Sequence, residues 1–184
     1  MNKNKAFLLA LPAIGAAFLA VLSQLSFSIG TIPITLQTFA VGLIATIFKT
    51  REAVLSVLLY LLLGAIGLPV FAGGSGGFQA IFGPSAGYLW AYLLFALVTS
   101  SLTSKDSKFY TIFLANLIGD TLVFVGGVIG LHFLANMGFS KAIAVGVTPF
   151  ILPDLLKIVA ITLIGIPIFK SLAFHPYFSY NKNG

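Results

Sequence analysis

The chain has 184 residues, 59% of them hydrophobic and 8% charged, with a mean hydropathy of +1.08; too little polar surface remains to solvate a globule of this size, so the composition puts the chain in a membrane. Cysteine is absent, which excludes disulfides, thiolate nucleophiles and cysteine metal sites, and His132 and His175 are too few for a multi-histidine metal centre. A net charge of +6 would suit nucleic acid in a soluble protein, but in a membrane chain the basic residues first report orientation.

Residues 6–29 form an uncharged run, and about 20 residues cross the hydrocarbon at about 1.5 Å of rise each. Lys3 and Lys5 precede the run as they would in a signal peptide, but it exceeds the usual apolar region of about 7–15 residues, so it is read as a retained first span. A short second span covers 34–48 and is closed by Lys49, Arg51 and Glu52. A third, 53–66, runs into GLPVFAGGSGGFQAIFGPSAGY (67–88), which holds seven glycines. The fourth, 85–102, ends in the polar SSLTSKDSK, the fifth covers 109–134, and the sixth, 149–173, carries Asp154, Lys157 and Lys170. The expected architecture is one all-α membrane domain over residues 1–184, with six transmembrane helices.

Six spans put both termini on one side. Lys3, Lys5, Lys49, Arg51, Lys105, Lys108, Lys170 and Lys182 share that side, Lys141 lies opposite, and Lys157 lies within a span. Cytoplasmic loops retain lysine and arginine, so both termini are expected in the cytoplasm, and the positive charge needs no nucleic-acid partner.

This topology gathers three unusual segments at the outer end: GTIPITLQT (30–38), the glycine-rich stretch, and the start of the sixth span. Non-helical backbone at membrane depth must be buried in protein or line a cavity, because lipid cannot satisfy its N–H and C=O groups. Val70, Phe71, Phe78, Ile81 and Phe82 around the glycines therefore argue for a folded-in wall over a solvated linker. Gly83 and Gly87, four apart, suit close helix packing.

In PFILPDLLK, Pro153 marks a potential helix break beside Asp154, and a spacing of three sets Asp154 and Lys157 on one helix face. Ionisable residues inside a membrane are costly and point to function by default, a structural ion pair being the alternative. A pair that offers an anionic acceptor and a cationic donor suits a ligand with both N–H and C=O groups. Asp120, four residues after Asn116 in the fifth span, is accounted for equally well by interhelical polar bonding.

Three classes of function follow. Residues 73–77 satisfy G-x-S-x-G, with Ser75, His132 and Asp154 at one end, but a serine hydrolase needs a strand-to-helix elbow that six helices do not offer. A solitary facilitator or proton-coupled carrier would use Asp120 and Asp154 as a relay. The third class is a capture subunit without its own engine: no Gly-Lys-Ser or Gly-Lys-Thr occurs, hence no phosphate-binding loop for ATP, and no duplication signals an inverted-repeat transporter.

On GLPVFAGGSGGFQAIFGPSAGY and PFILPDLLK, and along essentially the whole chain, the sequence resembles the BioY family, the biotin-specific substrate-binding (S) components of energy-coupling factor (ECF) vitamin transporters. The resemblance implies a six-helix S-component fold with an outer lid loop and high-affinity capture of biotin from outside. It further implies delivery by docking on a transmembrane coupling subunit driven by two ATPase subunits, with no enzymatic activity, cofactor or metal. Within it the glycine-rich loop forms part of the vitamin pocket. Asp154 accepts from the ureido N–H groups of biotin, Lys157 donates to either the ureido oxygen or the carboxylate, and Gln79 completes the polar set. Gly74 lets backbone approach the ligand, and Phe71, Phe78, Tyr88 and Trp90 supply an apolar wall. The segment TIPITLQ (31–37) resembles the family's capping loop, with Thr35 and Gln37 in reach of the ligand. A small-xxx-small motif that docks S components is supplied by Ala13 and Ala17, with Gly15, Ala16 and Ala20 beside it.

Overall fold

The computed structural model describes residues 3–27, 32–172, 175 and 177, with side chains from Leu8 onward. Residues 28–31 and 173, and the side chains of Lys3, Lys5 and Lys182, lie outside the described residues. The described chain forms α1 (Lys3–Ser23), β1 (Ser26–Phe27), β2 (Ile34–Thr35), α2 (Gln37–Ile47), α3 (Thr50–Ala65), α4 (Ala86–Leu102), α5 (Phe109–Leu134), α6 (Phe139–Gly146) and α7 (Ile151–Leu172). It is an all-α protein in which the strands are a two-residue clip.

Apolar side chains occur on every face of these helices. In α5, Ile112 and Val123 are buried while Leu114, Ile118 and Val125 are exposed. That pattern suits helices with apolar surroundings on all sides. Helices α5 and α7 are long and apolar enough to cross a membrane, which fits a membrane location.

The first apolar run stops being helical at Ser23, short of residue 29. The Ser23 hydroxyl donates to the carbonyls of Ala20 (2.7 Å) and Val70, and the chain then enters β1, which pairs antiparallel with β2, Ser26 opposite Thr35 and Phe27 opposite Ile34. The 34–48 run likewise begins extended and turns helical at Gln37, whose N–H donates to Thr35 Oγ1 at 3.1 Å. A threonine that bonds backbone two residues on favours such a turn. Pro153 does not break α7. It lies in the first turn, where a missing N–H forfeits no helical bond, and Asp154 N–H already reaches the Phe150 carbonyl at 2.8 Å. The short α6 has no counterpart among the sequence-based spans; it buries Ala142 and Gly146, the latter against Tyr88 of α4 and Leu131 of α5.

Helices α4 and α5 approach backbone to backbone. A Cβ on Gly87 would stand 2.9 Å from the Gly130 Cα, so this glycine does serve helix packing. Gly83 precedes α4, and a Cβ there would meet only the carbonyls of Gln79 and Ala80. At Gly15, α1 comes so close to α3 that a Cβ would stand 2.7 Å from that of Ser56. Tyr60, Phe95, Leu19, Ile112 and Leu131 fill the centre of the bundle.

The end that carries the α2–α3 turn is tied to the chain beyond α7. Lys49 N–H donates to the Tyr177 hydroxyl (2.7 Å), which donates to Glu52 Oε2 (3.1 Å), and the Lys49 ammonium lies 5.2 Å over the Tyr177 ring. Burial raises the Tyr177 phenol above its ordinary pKa, so the hydroxyl keeps its proton and remains a donor.

Candidate functional site

The glycine-rich segment is anchored at both flanks of the bundle. Gly77 N–H donates to the Gly64 carbonyl (2.7 Å), and Phe71 N–H donates to Ser75 O (2.9 Å). Gln24 Nε2 reaches the carbonyls of Pro69 and Phe71, each at 3.3 Å. The tight turn between these anchors uses positive φ at Gly73 (66°) and Gly74 (72°), a conformation that side chains disfavour. Phe71 is pressed onto Gly64, where a Cβ would overlap its ring, and it meets Tyr60 edge-on at 5.3 Å.

A cavity of about 220 Å³ lies between this segment, the start of α2, and helices α4, α5 and α7. Its apolar lining includes Phe71, Tyr88, Leu89, Phe124 and Phe150, and its polar lining Thr35, Gln37, Thr38, Ser75, Ser85, Tyr92, Asp154 and Lys157. Apolar walls with a few convergent polar groups are the usual make-up of a small-molecule site.

The polar groups other than the two serines fall into two connected sets. In the first, Lys157 Nζ donates to Asp154 Oδ1 (2.5 Å) and Thr38 Oγ1 (3.0 Å), and Thr38 Oγ1 donates to the same Asp154 oxygen (3.0 Å). The two charged side chains are 11% and 4% exposed. A buried ion pair holds only when neighbouring hydrogen bonds offset lost hydration, and Thr38 provides them. Asp154 Oδ2 accepts no hydrogen bond among the described residues, so the cavity retains an anionic acceptor. In the second set, Gln37 Nε2 donates to the Tyr60 hydroxyl (2.6 Å), and Gln37 Oε1 accepts from Tyr92 (3.3 Å) and Thr35 (3.0 Å). The Gln37 amide is thus held by protein groups and presents a fixed dipole.

Of the ten side chains and backbone positions singled out from sequence, the cavity gathers Asp154, Lys157, Phe71, Tyr88, Gln37 and Thr35. It leaves out Gln79, Gly74, Phe78 and Trp90. Gln79 and Gly74 are exposed, and Phe78, 67% exposed, packs against Phe82 instead. Trp90 lies two residues after Tyr88, over half a turn around α4, so it faces out and donates to the Ile81 carbonyl (3.0 Å). Tyr88 faces in, its hydroxyl on the Gly146 carbonyl (2.8 Å).

Thr38, Tyr92 and Phe150 join the lining without having been picked from sequence. Tyr92 was legible as one helical turn beyond Tyr88. Thr38 carries no charge or motif, and only the register of α2 against α7 brings it to Asp154.

The residues of the hydrolase reading are engaged separately. Ser75 donates to the Ala72 carbonyl (2.9 Å), His132 Nδ1 donates to the Met137 carbonyl (2.8 Å) while its ring stacks on Phe139, and Asp154 is held by Lys157. No Ser–His–Asp hydrogen-bond relay exists among the described residues. Asp120 and Asn116 are buried in α5, where Asn116 Nδ2 donates to Thr46 Oγ1 and to the Ile112 carbonyl, each at 2.9 Å.

The family profile of BioY matches residues 1–174. The biotin transporter BioY2 of Lactococcus lactis subsp. cremoris is 41% identical over 174 residues, covering 94% of this chain and 96% of that protein. The chain belongs to the BioY family. Another BioY-family relative, the biotin transporter BioY of Thermotoga maritima, is 38% identical over 154 residues, 84% of this chain and 90% of its own. The BioY-family fold also has a solved counterpart. A crystal structure of the S-component for biotin from an ECF-type ABC transporter is 28% identical, with a TM-score of 0.87 over 97% of this chain and 98% of that one. The all-α architecture described above is therefore the ECF S-component fold.

Proposed function

We propose that this BioY-family protein captures biotin with high affinity in the cavity beside Asp154 and Lys157, as the substrate-binding subunit of an ATP-driven ECF vitamin transporter. The observation that carries the reading is the triangle of Thr38, Asp154 and Lys157, which leaves one carboxylate oxygen and the ammonium beside an apolar chamber. Biotin's ureido ring has two N–H donors and a carbonyl acceptor. An Asp154 oxygen accepts from those donors, and Lys157, already anchored, donates to a ligand oxygen. Phe71, Tyr88 and Phe150 cover the apolar parts of the bicycle. Gln37, fixed by Tyr60, Tyr92 and Thr35, orients the polar edge of the chamber. The transport role, rather than hydrolysis, agrees with the family and with the separate engagement of Ser75 and His132.

In this reading α1 to α5 and α7 are six membrane crossings, and α6 lies at the outer surface. Lys49, Arg51, Lys105, Lys108 and Lys170 then fall at one end, which supports cytoplasmic termini. The β1–β2 clip and residues 32–38 act as the outer lid, and the anchored 67–83 segment is the folded-in wall. Ala13 and Ala17 are exposed on α1, while Gly15 and Ala16 are buried against α3 and the core. Those two exposed small residues are the docking surface for a transmembrane coupling subunit that two ATPase subunits drive, with Ala20 half-buried at its edge.

The test pairs two measurements: biotin titration of the purified chain, and biotin uptake by cells that express it with and without an energy-coupling module. Binding by the isolated chain with uptake only in the presence of the module is the expected result. Uptake by the chain alone would favour the solitary carrier, and absence of binding would remove the cavity assignment.

A further inference from the structure

A groove of about 650 Å³ runs along the outside of the bundle between α1 and α3 and shares no lining residue with the cavity beside Asp154. One wall is a leucine stripe on α3, Leu55, Leu58 and Leu62, repeating at intervals that keep one helix face; the other includes Leu8 and Pro12 of α1. Arg51 stands where the stripe begins. Its side chain is exposed and makes no hydrogen bond or ion pair among the described residues. Glu52, which also borders the groove, is 4% exposed, and its Oε2 is taken by the Tyr177 hydroxyl at 3.1 Å. Its charge is therefore turned into the protein, and Lys49 nearby is stacked on Tyr177.

The dimensions specify an occupant. From Arg51 to Leu62 the helix rises by about 16 Å at about 1.5 Å per residue. One leaflet of hydrocarbon is about 15 Å deep, half of about 30 Å. An apolar trough one leaflet long with a single guanidinium at its mouth has the chemistry of an acyl chain ending in a phosphate. A planar guanidinium donates two parallel hydrogen bonds to phosphate oxygens, which lysine does not. Ordinary lipid-facing surface has the leucines but not the paired anion site.

We infer that this groove holds one acyl chain of an anionic phospholipid of the cytoplasmic leaflet, with the lipid phosphate on Arg51. The leaflet rests on the orientation proposed above. The lipid fills the hollow between α1 and α3 beside the exposed Ala13 and Ala17 face, so it forms the margin of the surface offered to the coupling subunit.

The test is native mass spectrometry of the purified chain in mild detergent, with phosphatidylglycerol and phosphatidylcholine of identical chains added in equal amounts. The parent should retain phosphatidylglycerol about fivefold over phosphatidylcholine, the factor one basic side chain supplies at a membrane surface. Arg51→Gln should bring the ratio to near one. Leu58→Trp, which fills the trough and keeps the charge, should reduce adducts of both lipids. Lys108→Gln, a charge change at the same end away from the groove, should leave the preference intact, and all three variants should titrate biotin like the parent. The proposal is overturned if the parent shows no preference, if Arg51→Gln keeps it, or if Lys108→Gln removes it equally. It is likewise overturned if glycerol phosphate without chains displaces the lipid, or if Arg51→Gln leaves adducts unchanged and instead weakens co-purification with the coupling subunit. The orientation is read separately: a Ser104→Cys variant labelled by an impermeant reagent from outside intact cells would refute the cytoplasmic leaflet without altering the detergent result.

Discussion

Replacing Asp154 by Asn tests the site most directly, because the two side chains have nearly the same shape and differ in charge. In the parent, Lys157 Nζ is 2.5 Å from Asp154 Oδ1, and Thr38 bonds both. In the variant the ligand N–H groups lose a charged acceptor. Hydrogen bonds to charged groups contribute about 1.5–3 kcal/mol. At about 1.4 kcal/mol per factor of ten, the dissociation constant for biotin should rise roughly 10- to 150-fold. The variant also strands the Lys157 ammonium, whose side chain is 11% exposed, with Thr38 as its remaining partner. Breaking a fully buried pair costs about 3–5 kcal/mol, so the ligand-free variant should melt earlier, by less than that bound because water reaches this lysine. Thr38→Val supplies the internal control. It removes neutral hydroxyl bonds of about 0.5–1.5 kcal/mol, and because Thr38 works through the same carboxylate, its effect should shrink in the Asp154→Asn background. The assay is isothermal titration of biotin into purified protein with matched helical circular dichroism. An Asp154→Asn variant that folds and binds within twofold of the parent would refute the argument that this carboxylate meets the ligand.

Four further outcomes are expected. Gly64→Ala pushes a methyl into the Phe71 ring and should lower the thermal midpoint by an overpacking cost of about 1–3 kcal/mol while weakening biotin binding, both read by a thermal shift assay with and without ligand. Gly76→Val meets the Leu68 carbonyl and Gly74→Val is forced to positive φ, so both should weaken binding where Ser104→Val does not; equal affinity in all three would make the segment a spacer. Gln79→Ala and Trp90→Phe, both outside the cavity lining, should bind biotin within about twofold of the parent, since surface changes away from a site are usually worth under about 0.5 kcal/mol; a larger loss in titration would bring those side chains back into the site. Ala13→Leu with Ala17→Leu should spare biotin binding by the isolated chain and reduce uptake through the complete transporter, and a variant that retains both functions would remove that face from docking.

Composition alone determined that this chain meets lipid, because 8% charged residues cannot clothe a soluble surface. Long apolar runs marked α5 and α7 to within two residues at each end, and Pro153 does not interrupt the second because it falls in the first turn. Local sequence also carried the ion pair, because a spacing of three on a helix fixes Asp154 beside Lys157 whatever surrounds them. The ends of α1 and α2 were not legible. Ser23 bonds Val70, and residues 26 and 27 pair with residues 34 and 35, contacts between parts of the chain whose proximity no local pattern records. The same limit divides the site. The glycine-rich stretch announces a turn, but only its seating on Gly64 and Ser23 decides that Phe71 lines the cavity while Phe78 and Gln79 are exposed. Thr38 has no signature in sequence and became part of the site solely because α2 packs on α7 in the register that brings its hydroxyl to Asp154. Helical period, charge and turn chemistry are local and can be read residue by residue; which face of one element meets another depends on the packing of all of them together.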